Sequence, residues 1–390
     1  MYDKITFEGY DGVNKWKLSK KEKNDIIYNY TSDYVLINRE EQRDENNQII
    51  EITIEEEFEQ LIKIIDELKK ASKGLINMYK SGSYKKSALD LFDRTTKYLN
   101  ADDILQDESY WIKNSSFCSL IWAEPYKGEL YKYDFVSYFS YLMTLTTNRF
   151  PIKRGEFKKI TELENILEFG IYRCKIKPSK DDNINKIFRI NKRNFYTQLD
   201  IYSARKLGLE IELIKDSKPN LLYYTSDKLI KFGEVFKPFV DIMFNLKNIG
   251  ITKAKTIMSM LWGALCEVDK KKHYVIDTYD IPDEEEIIEI YPTKDESGFI
   301  IKTTQINNYY KTPYARLCPF LLSKSRTQMT DLLFPIKEHI HRINVDGFYT
   351  DKVLHKDINK GLGELKYEGY LSNGVIKNCT NKMDKPDKFK

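Results

Sequence analysis

The chain has 390 residues, 41% hydrophobic and 13% aromatic, with 63 basic and 59 acidic side chains and a formal net charge of +4. That length and apolar content support two or three substructures with cores of their own and exclude a disordered chain. The mildly basic balance excludes a polybasic tail while leaving room for a local nucleic-acid patch.

No stretch approaches the roughly 20 apolar residues of a membrane span, and Met1-Tyr2-Asp3-Lys4 opens no signal-peptide core. The expectation is an intracellular protein in a reducing compartment, with no membrane partner. Cys118, Cys174, Cys266, Cys318 and Cys379 are scattered and never spaced as C-x-x-C, so no disulfide partner is expected. His339 and His341 alternate along one strand face without the further ligands that zinc patterns require.

Taken in order, residues 1 to about 50 are polar and mixed, with Tyr34 to Ile37 a short strand and Arg39 to Gln48 a charged loop. Phe58, Leu61, Ile62, Ile65 and Leu68 recur at helical spacing behind a possible cap at Thr53. Lys80 to Ser87 is a basic, Gly-broken turn feeding a helix through Ala88, Leu91 and Phe92. An ordinary capped turn is its first reading. Phosphate or template-strand contact by Lys85 and Lys86 is the functional alternative.

Strands are predicted at Ser119 to Trp122, Leu130 to Tyr133, Phe169 to Ile176 and Leu209 to Ile214, with a helix started by Thr197-Gln198-Leu199-Asp200. From 226 to 268 the pattern turns helical. Leu229 to Phe244, kinked before Pro238, and Thr252 to Glu267 make a helical hairpin about Asn248-Ile249-Gly250. The tail returns to strands at His273 to Thr278, Ile287 to Tyr291 and Phe299 to Thr304, then a helix over Tyr314 to Phe334. His339 to Tyr349 reads as two short strands about Asn344-Val345-Asp346-Gly347.

Three stretches carry chemistry, and each also has a structural reading. Asp134, at the end of a strand and ahead of an aromatic run, can cap a helix. Lys255 can be one more exposed helix lysine, and Asp346-Gly347 is a common hairpin-turn signal. In order, however, they resemble the motifs of the family B DNA polymerases, most closely the protein-primed branch of some viruses and linear plasmids. The D-x-x-S-L-Y-P motif reads Asp134-Phe135-Val136-Ser137-Tyr138-Phe139-Ser140. K-x-x-x-N-S-x-Y-G reads Lys255-Thr256-Ile257-Met258-Ser259-Met260-Leu261-Trp262-Gly263, and D-T-D-S reads Asn344-Val345-Asp346-Gly347. The resemblance covers about 115 to 370.

The resemblance implies an α+β fold: a polymerase palm of antiparallel sheet with helices, a helical-hairpin fingers subdomain and a small, mostly helical N-terminal region. Its expected parts are 1–112, the N-terminal region; 113–225, the first palm segment; 226–268, the fingers; and 269–390, the second palm segment with a shortened C-terminus. It also implies DNA-directed DNA polymerase activity on primer-template DNA and dNTPs, with a terminal-protein primer as one option and a host-cytoplasmic or viral or plasmid replication site. Mg²⁺, or Mn²⁺ in its place, would be held by Asp134, Asp346 and the carbonyl of Phe135, since two-metal transfer needs rigid carboxylates.

By the same resemblance Ser137, Tyr138, Phe139, Lys255, Trp262 and Gly263 are nucleotide-binding, with Lys247 and Lys253 weaker candidates beside them. Phe139 stands where the family has Tyr, a ring that excludes a 2′-hydroxyl. Arg326 and Lys366 are candidate contacts to DNA phosphates. Asn344 replaces the first acid of the third motif, and Ser259 replaces an Asn. No D-x-E motif in a strand context marks a proofreading exonuclease, and a lysine-tyrosine motif and thumb are not found behind Glu368. These departures support an alternative: a catalytically degenerate palm serving as a DNA-binding or replication-assembly subunit. A reverse transcriptase or RNA polymerase palm is the third reading.

Overall fold

A computed structural model describes residues 4–10, 15–21, 26–30, 54–97, 99–278, 280–293, 296–306 and 309–380. Two compact units emerge. One joins Met1–Lys97 to Pro238–Ala264, and the other joins Tyr98–Lys237 to Leu265–Lys390. The predicted strand at 34–37, the charged loop that follows it and the cap at Thr53 lie outside the described residues.

In the first unit, strands Lys4–Tyr10, Lys15–Lys21 and Ile26–Tyr30 form an antiparallel sheet in that order. This small sheet precedes the helices of the N-terminal region, so strand and helix are mixed there. Helix Ile54–Ala71 buries Phe58, Ile62, Ile65 and Leu68, the stripe its 3.6-residue period demands. Helix Tyr84–Thr95 starts at Ser83, whose hydroxyl accepts the Lys86 N–H at 3.2 Å. The hairpin is also present, as helices Phe232–Asn248 and Ala254–Leu265. The first helix continues through Pro238 as one element, and the division between the units falls at that residue.

The second unit is built on a five-stranded antiparallel sheet. Its spatial order is Leu365–Ile376, Tyr126–Phe135, Gly347–Thr350, Ile340–Asn344 and Ile121–Ala123. Strand Tyr126–Phe135 is interior to the sheet, paired on both edges. Tyr133 is fully buried there, stacked on Phe348 at 5.3 Å with Tyr367 at 5.7 Å, and its hydroxyl donates to the His355 carbonyl at 2.8 Å. The longest strand, Leu365–Ile376, was not expected from sequence. Two breaks in its register and the interior Gly369 and Gly374 erase a clean alternation.

A second sheet orders Ile211–Leu213, Gly170–Ile176, Leu221–Tyr223 and Glu156–Lys158, with Phe195–Thr197 paired to Gly170–Ile176. The third has Phe299–Gln305 between Lys271–Val275 and Glu285–Pro292. Helix Gln198–Lys206 begins at the helix start read in the sequence and opens on a capping box, Thr197 and Asp200 each bonding the other's backbone N–H. Helix Leu317–Leu333 is buried on most of its surface, Phe320, Leu321, Met329 and Leu333 among its core residues. Its buried polar side chains are satisfied inside the unit. Thr330 Oγ1 donates to the Ile187 carbonyl at 2.6 Å, and the Ser325 and Ser119 hydroxyls meet at 2.7 Å.

Candidate active site

Asp134 is the penultimate residue of strand Tyr126–Phe135, and Gly347 and Lys366 are its cross-strand partners on either side. Asn344 pairs with Gly347, which leaves Val345-Asp346 as the turn of the adjoining hairpin. The Phe135 N–H donates to the Asp346 carbonyl at 3.0 Å, tying the turn beside the strand end that carries Asp134. Val345 N–H donates to the Leu120 carbonyl and Asp346 N–H to the Asn344 carbonyl, both at 2.8 Å. The two acids, 212 positions apart in sequence, thus meet at one end of the sheet, Asp134 on a strand end and Asp346 in the turn that leads into the neighbouring strand.

Gly347 leaves room for this packing. A Cβ there would lie 2.8 Å from Asp134 Oδ1 and 3.1 Å from the Tyr133 carbonyl oxygen. The Asp134 carboxylate therefore leans over the glycine that follows Asp346. Both acids are half-buried, and Asn344 is exposed.

Charges around the pair are arranged unevenly. Lys132, two residues before Asp134 on the same strand face, pairs with Glu368, and Lys366 pairs with Glu368 at 3.4 Å. Burial opposes the Lys132 ammonium. Its hydrogen bond to Glu368, then the charges of Tyr349, Glu368 and Asp134, outweigh burial and hold its pKa above the ordinary lysine value. Burial likewise opposes the Glu368 carboxylate, but the Lys132 hydrogen bond and both lysine charges bring it below its usual range. Alternation along Tyr126–Phe135 was the signal that could have placed Lys132 beside Asp134. Glu368 had none, because it falls at a register break.

Behind the strand end, Ser137 adopts φ 53° and helix Tyr138–Thr144 begins. Tyr138 is 1% exposed, stacks on Phe135 at 4.7 Å and donates its hydroxyl to the Ser325 carbonyl at 2.9 Å. Burial, with a contribution from the Asp346 charge, pushes this phenol well up. Its side chain belongs to the core, which corrects the expectation that Tyr138 offers its side chain to a nucleotide and leaves only its backbone. Phe139 and Ser137 remain half-exposed beside it.

Arg326 is a second correction. It is 3% exposed, its guanidinium holds both Asp200 oxygens at 2.9 and 3.0 Å, and it donates to the Phe117 carbonyl at 2.6 Å. With its donors committed to the interior, it is a structural ion pair and not a phosphate contact. A sequence shows the arginine but not the burial. Arg316 forms a similar buried pair with Glu108 at 2.6 Å.

Lys366 stays on the sheet, half-exposed, beside Asp134. The remaining candidates belong to the first unit. Lys255 is exposed on helix Ala254–Leu265, its carbonyl accepting the Ser259 hydroxyl at 2.8 Å. On the same helix Gly263 is exposed and Trp262 half-buried. Lys247 lies 5.0 Å from the Phe244 ring, and Lys85 and Lys86 are exposed in the first turn of their helix.

Among the described residues no three His, Cys, Asp or Glu side chains form a ready-made metal cluster. The donors still fit Mg²⁺, a hard cation that takes oxygen ligands and is commonly held by one or two carboxylates together with substrate phosphates. Cys118, Cys174, Cys266, Cys318 and Cys379 are free thiols. No helix among the described residues is long and apolar enough to cross a membrane.

The antiparallel sheets and the helices around them make a mixed architecture similar to a polymerase domain fold. Among solved structures the chain is similar to Phi29 DNA polymerase complexed with primer-template DNA, a post-translocation binary complex, with TM-score 0.57 and 12% identity over 88% of this chain and 61% of that one. It matches Phi29 DNA polymerase complexed with single-stranded DNA at TM-score 0.57 and 13% identity, covering 95% and 68%. The ternary complex of that polymerase with primer-template DNA and incoming nucleotides gives 0.55 and 12%, covering 95% and 69%. At these identities the likeness is one of fold, and the chain spans 61% of the first neighbour's length. No family model and no curated protein sequence matches.

Proposed function

We propose that the chain is a DNA-directed DNA polymerase that extends a DNA or protein primer by nucleotidyl transfer, with Asp134 and Asp346 as metal ligands. One observation carries this reading: the hairpin turn holding Asp346 is bonded to the strand end holding Asp134, in a fold similar to that of a DNA polymerase. Bound Mg²⁺ would lower the pKa of the primer hydroxyl and steady the triphosphate and its leaving group. The backbones that carry the two carboxylates are tied together, Asp134 by the sheet ladder and Asp346 by the Phe135 N–H to its carbonyl, so little backbone reorganisation is needed on binding. Phe139 serves as the sugar-selecting ring, Lys255 as a triphosphate contact, and Trp262 with Gly263 as the surface under the templating pair. Lys366 contributes a phosphate contact, and Lys85 and Lys86 contact template. The reading includes no proofreading step.

Primer extension with Mg²⁺ and with Mn²⁺ tests the assignment. Asp134→Asn and Asp346→Asn should each lower incorporation about a hundredfold or more, because each removes several kcal/mol of charge stabilisation. Wild-type incorporation that survives both substitutions rules out the catalytic assignment. A second reading rests on Asn344 and on Lys366, a cation in register with Asp134. There the palm binds DNA without catalysis, and wild-type protein shifts primer-template DNA yet incorporates nothing with either metal.

A further inference from the structure

Away from the paired acids, the second unit carries a cleft of about 610 Å³ between helix Gln106–Ser115 and the second sheet. Its floor and walls are aromatic. Trp111 meets Phe195 edge-on at 5.1 Å and Phe157 at 5.5 Å, and Tyr110 meets Phe195 at 5.7 Å. Trp111 and Phe195 are buried, but Tyr110 is 57% exposed and Phe157 38%. Two large ring surfaces are thus open to the cleft's solvent side, held in place by a packed aromatic base.

The rim carries cations on two pinned turns. Arg193 is exposed, and among the described residues its guanidinium has no partner. Its turn is fixed from below by Asn191, 5% exposed. The Asn191 side chain accepts the Arg193 N–H at 3.0 Å and donates to the carbonyls of Asn114 and Phe195 at 2.8 and 2.7 Å. Lys218 is exposed on the second turn, where its N–H is accepted by Asp216 at 2.9 Å. Arg173 braces that turn through both Asp216 oxygens and the Pro219 carbonyl. The Arg173 hydrogen bond draws the Asp216 carboxyl down to about 2, so the brace stays charged at neutral pH. Asp107 is the one acid on the cleft's lining, against Arg193 and Lys218, with Arg173 committed to Asp216.

Partly exposed rings bordered by cations on pinned turns match a chemistry of flat bases joined by phosphates. Every base offers a face for stacking, and each phosphate offers a charge for Arg193 or Lys218. We propose that this cleft is a binding site for single-stranded nucleic acid, bases stacking on Tyr110 and Phe157 and phosphates pairing with Arg193 and Lys218. It is separate from the paired acids and does not depend on catalysis by them.

The test uses a fluorescent oligothymidylate, followed by anisotropy at low salt, and the same oligonucleotide with 5-iodouracil for photo-cross-linking. Cross-links should map to the peptides containing Tyr110 or Phe157 in wild type and equally in Asp134→Asn. The Tyr110→Ala/Phe157→Ala pair should weaken the cleft-bound fraction about tenfold. Arg193→Gln/Lys218→Gln should lower the slope of log affinity against log salt by about 1.4, two phosphate contacts at roughly 0.7 each. Thermal melts of both variants confirm folding, and the charge variant alone decides if the aromatic one unfolds. Cross-links confined to other peptides, or unchanged affinity and salt slope in folded variants, overturn the proposal. So does an acidic, aromatic peptide that occupies the cleft while the oligonucleotide does not. Loss of primer extension in Asp134→Asn with cleft cross-linking intact separates this site from the catalytic reading.

Discussion

At the scale of single residues, Gly347 and Arg326 show how little of a role is written in residue type. Gly347 is a turn glycine by sequence, yet its hydrogen side chain leaves the space into which Asp134 leans. Gly347→Ala should displace that carboxylate, costing about 1–3 kcal/mol of stability through overpacking. Primer extension should fall more than a thermal melt of the same variant would suggest. Normal extension at saturating Mg²⁺ would show that the carboxylate position is not critical. Arg326 behaves oppositely, as a charge whose partner is internal. Arg326→Met leaves Asp200 buried without its cation and should cost about 3–5 kcal/mol in chemical denaturation. Affinity for DNA should change only as far as folding does.

At the scale of elements, the hairpin from Ile340 to Thr350 is the most informative. Its turn places Val345 at φ 63°, a conformation that β-branched residues adopt at a cost. Val345→Asn should therefore raise stability by about 1 kcal/mol, read as a higher denaturation midpoint, since Asn tolerates that conformation better. If stability falls instead, Val345 packing outweighs its backbone strain. Both strands were legible from the apolar runs that flank Asn344 to Gly347, while the turn centres on Val345-Asp346, one residue before the Asp-Gly signal. The helix start at Thr197 to Asp200 was legible because it too is local chemistry. Leu365–Ile376 was not, because its place is set by pairing with Tyr126–Phe135 across more than 200 positions.

For the molecule as a whole, acid sensitivity follows from its ion pairs. Arg173 brings Asp216, and Lys271 followed by Thr303 brings Glu285, from ordinary values of 3.8 and 4.5 to about 2. A lowered carboxyl contributes stability that is complete above its unfolded pKa and lost as pH falls through its folded one. Unfolding free energy should therefore decline between about pH 5 and pH 2. Asp216→Asn and Glu285→Gln should each flatten that decline in acid titrations followed by circular dichroism. Unchanged slopes would mean that other carboxylates dominate.

The sequence by itself determined what is local: the amphipathic stripe of Ile54–Ala71, the helical hairpin, the cap of Gln198–Lys206 and the acids at a strand end and a turn. Each depends on side chains a few positions apart, where periodicity and capping act. Only the tertiary structure decided that Asp134 lies across one ladder from the turn of Asp346, that Lys132 and Lys366 share Glu368, and that Tyr138 and Arg326 face inward. Those outcomes depend on sheet register and burial, which arise from contacts between residues far apart in the chain. Asp134 was recognisable as an acid with a use. Its neighbours became known only once the strands were paired.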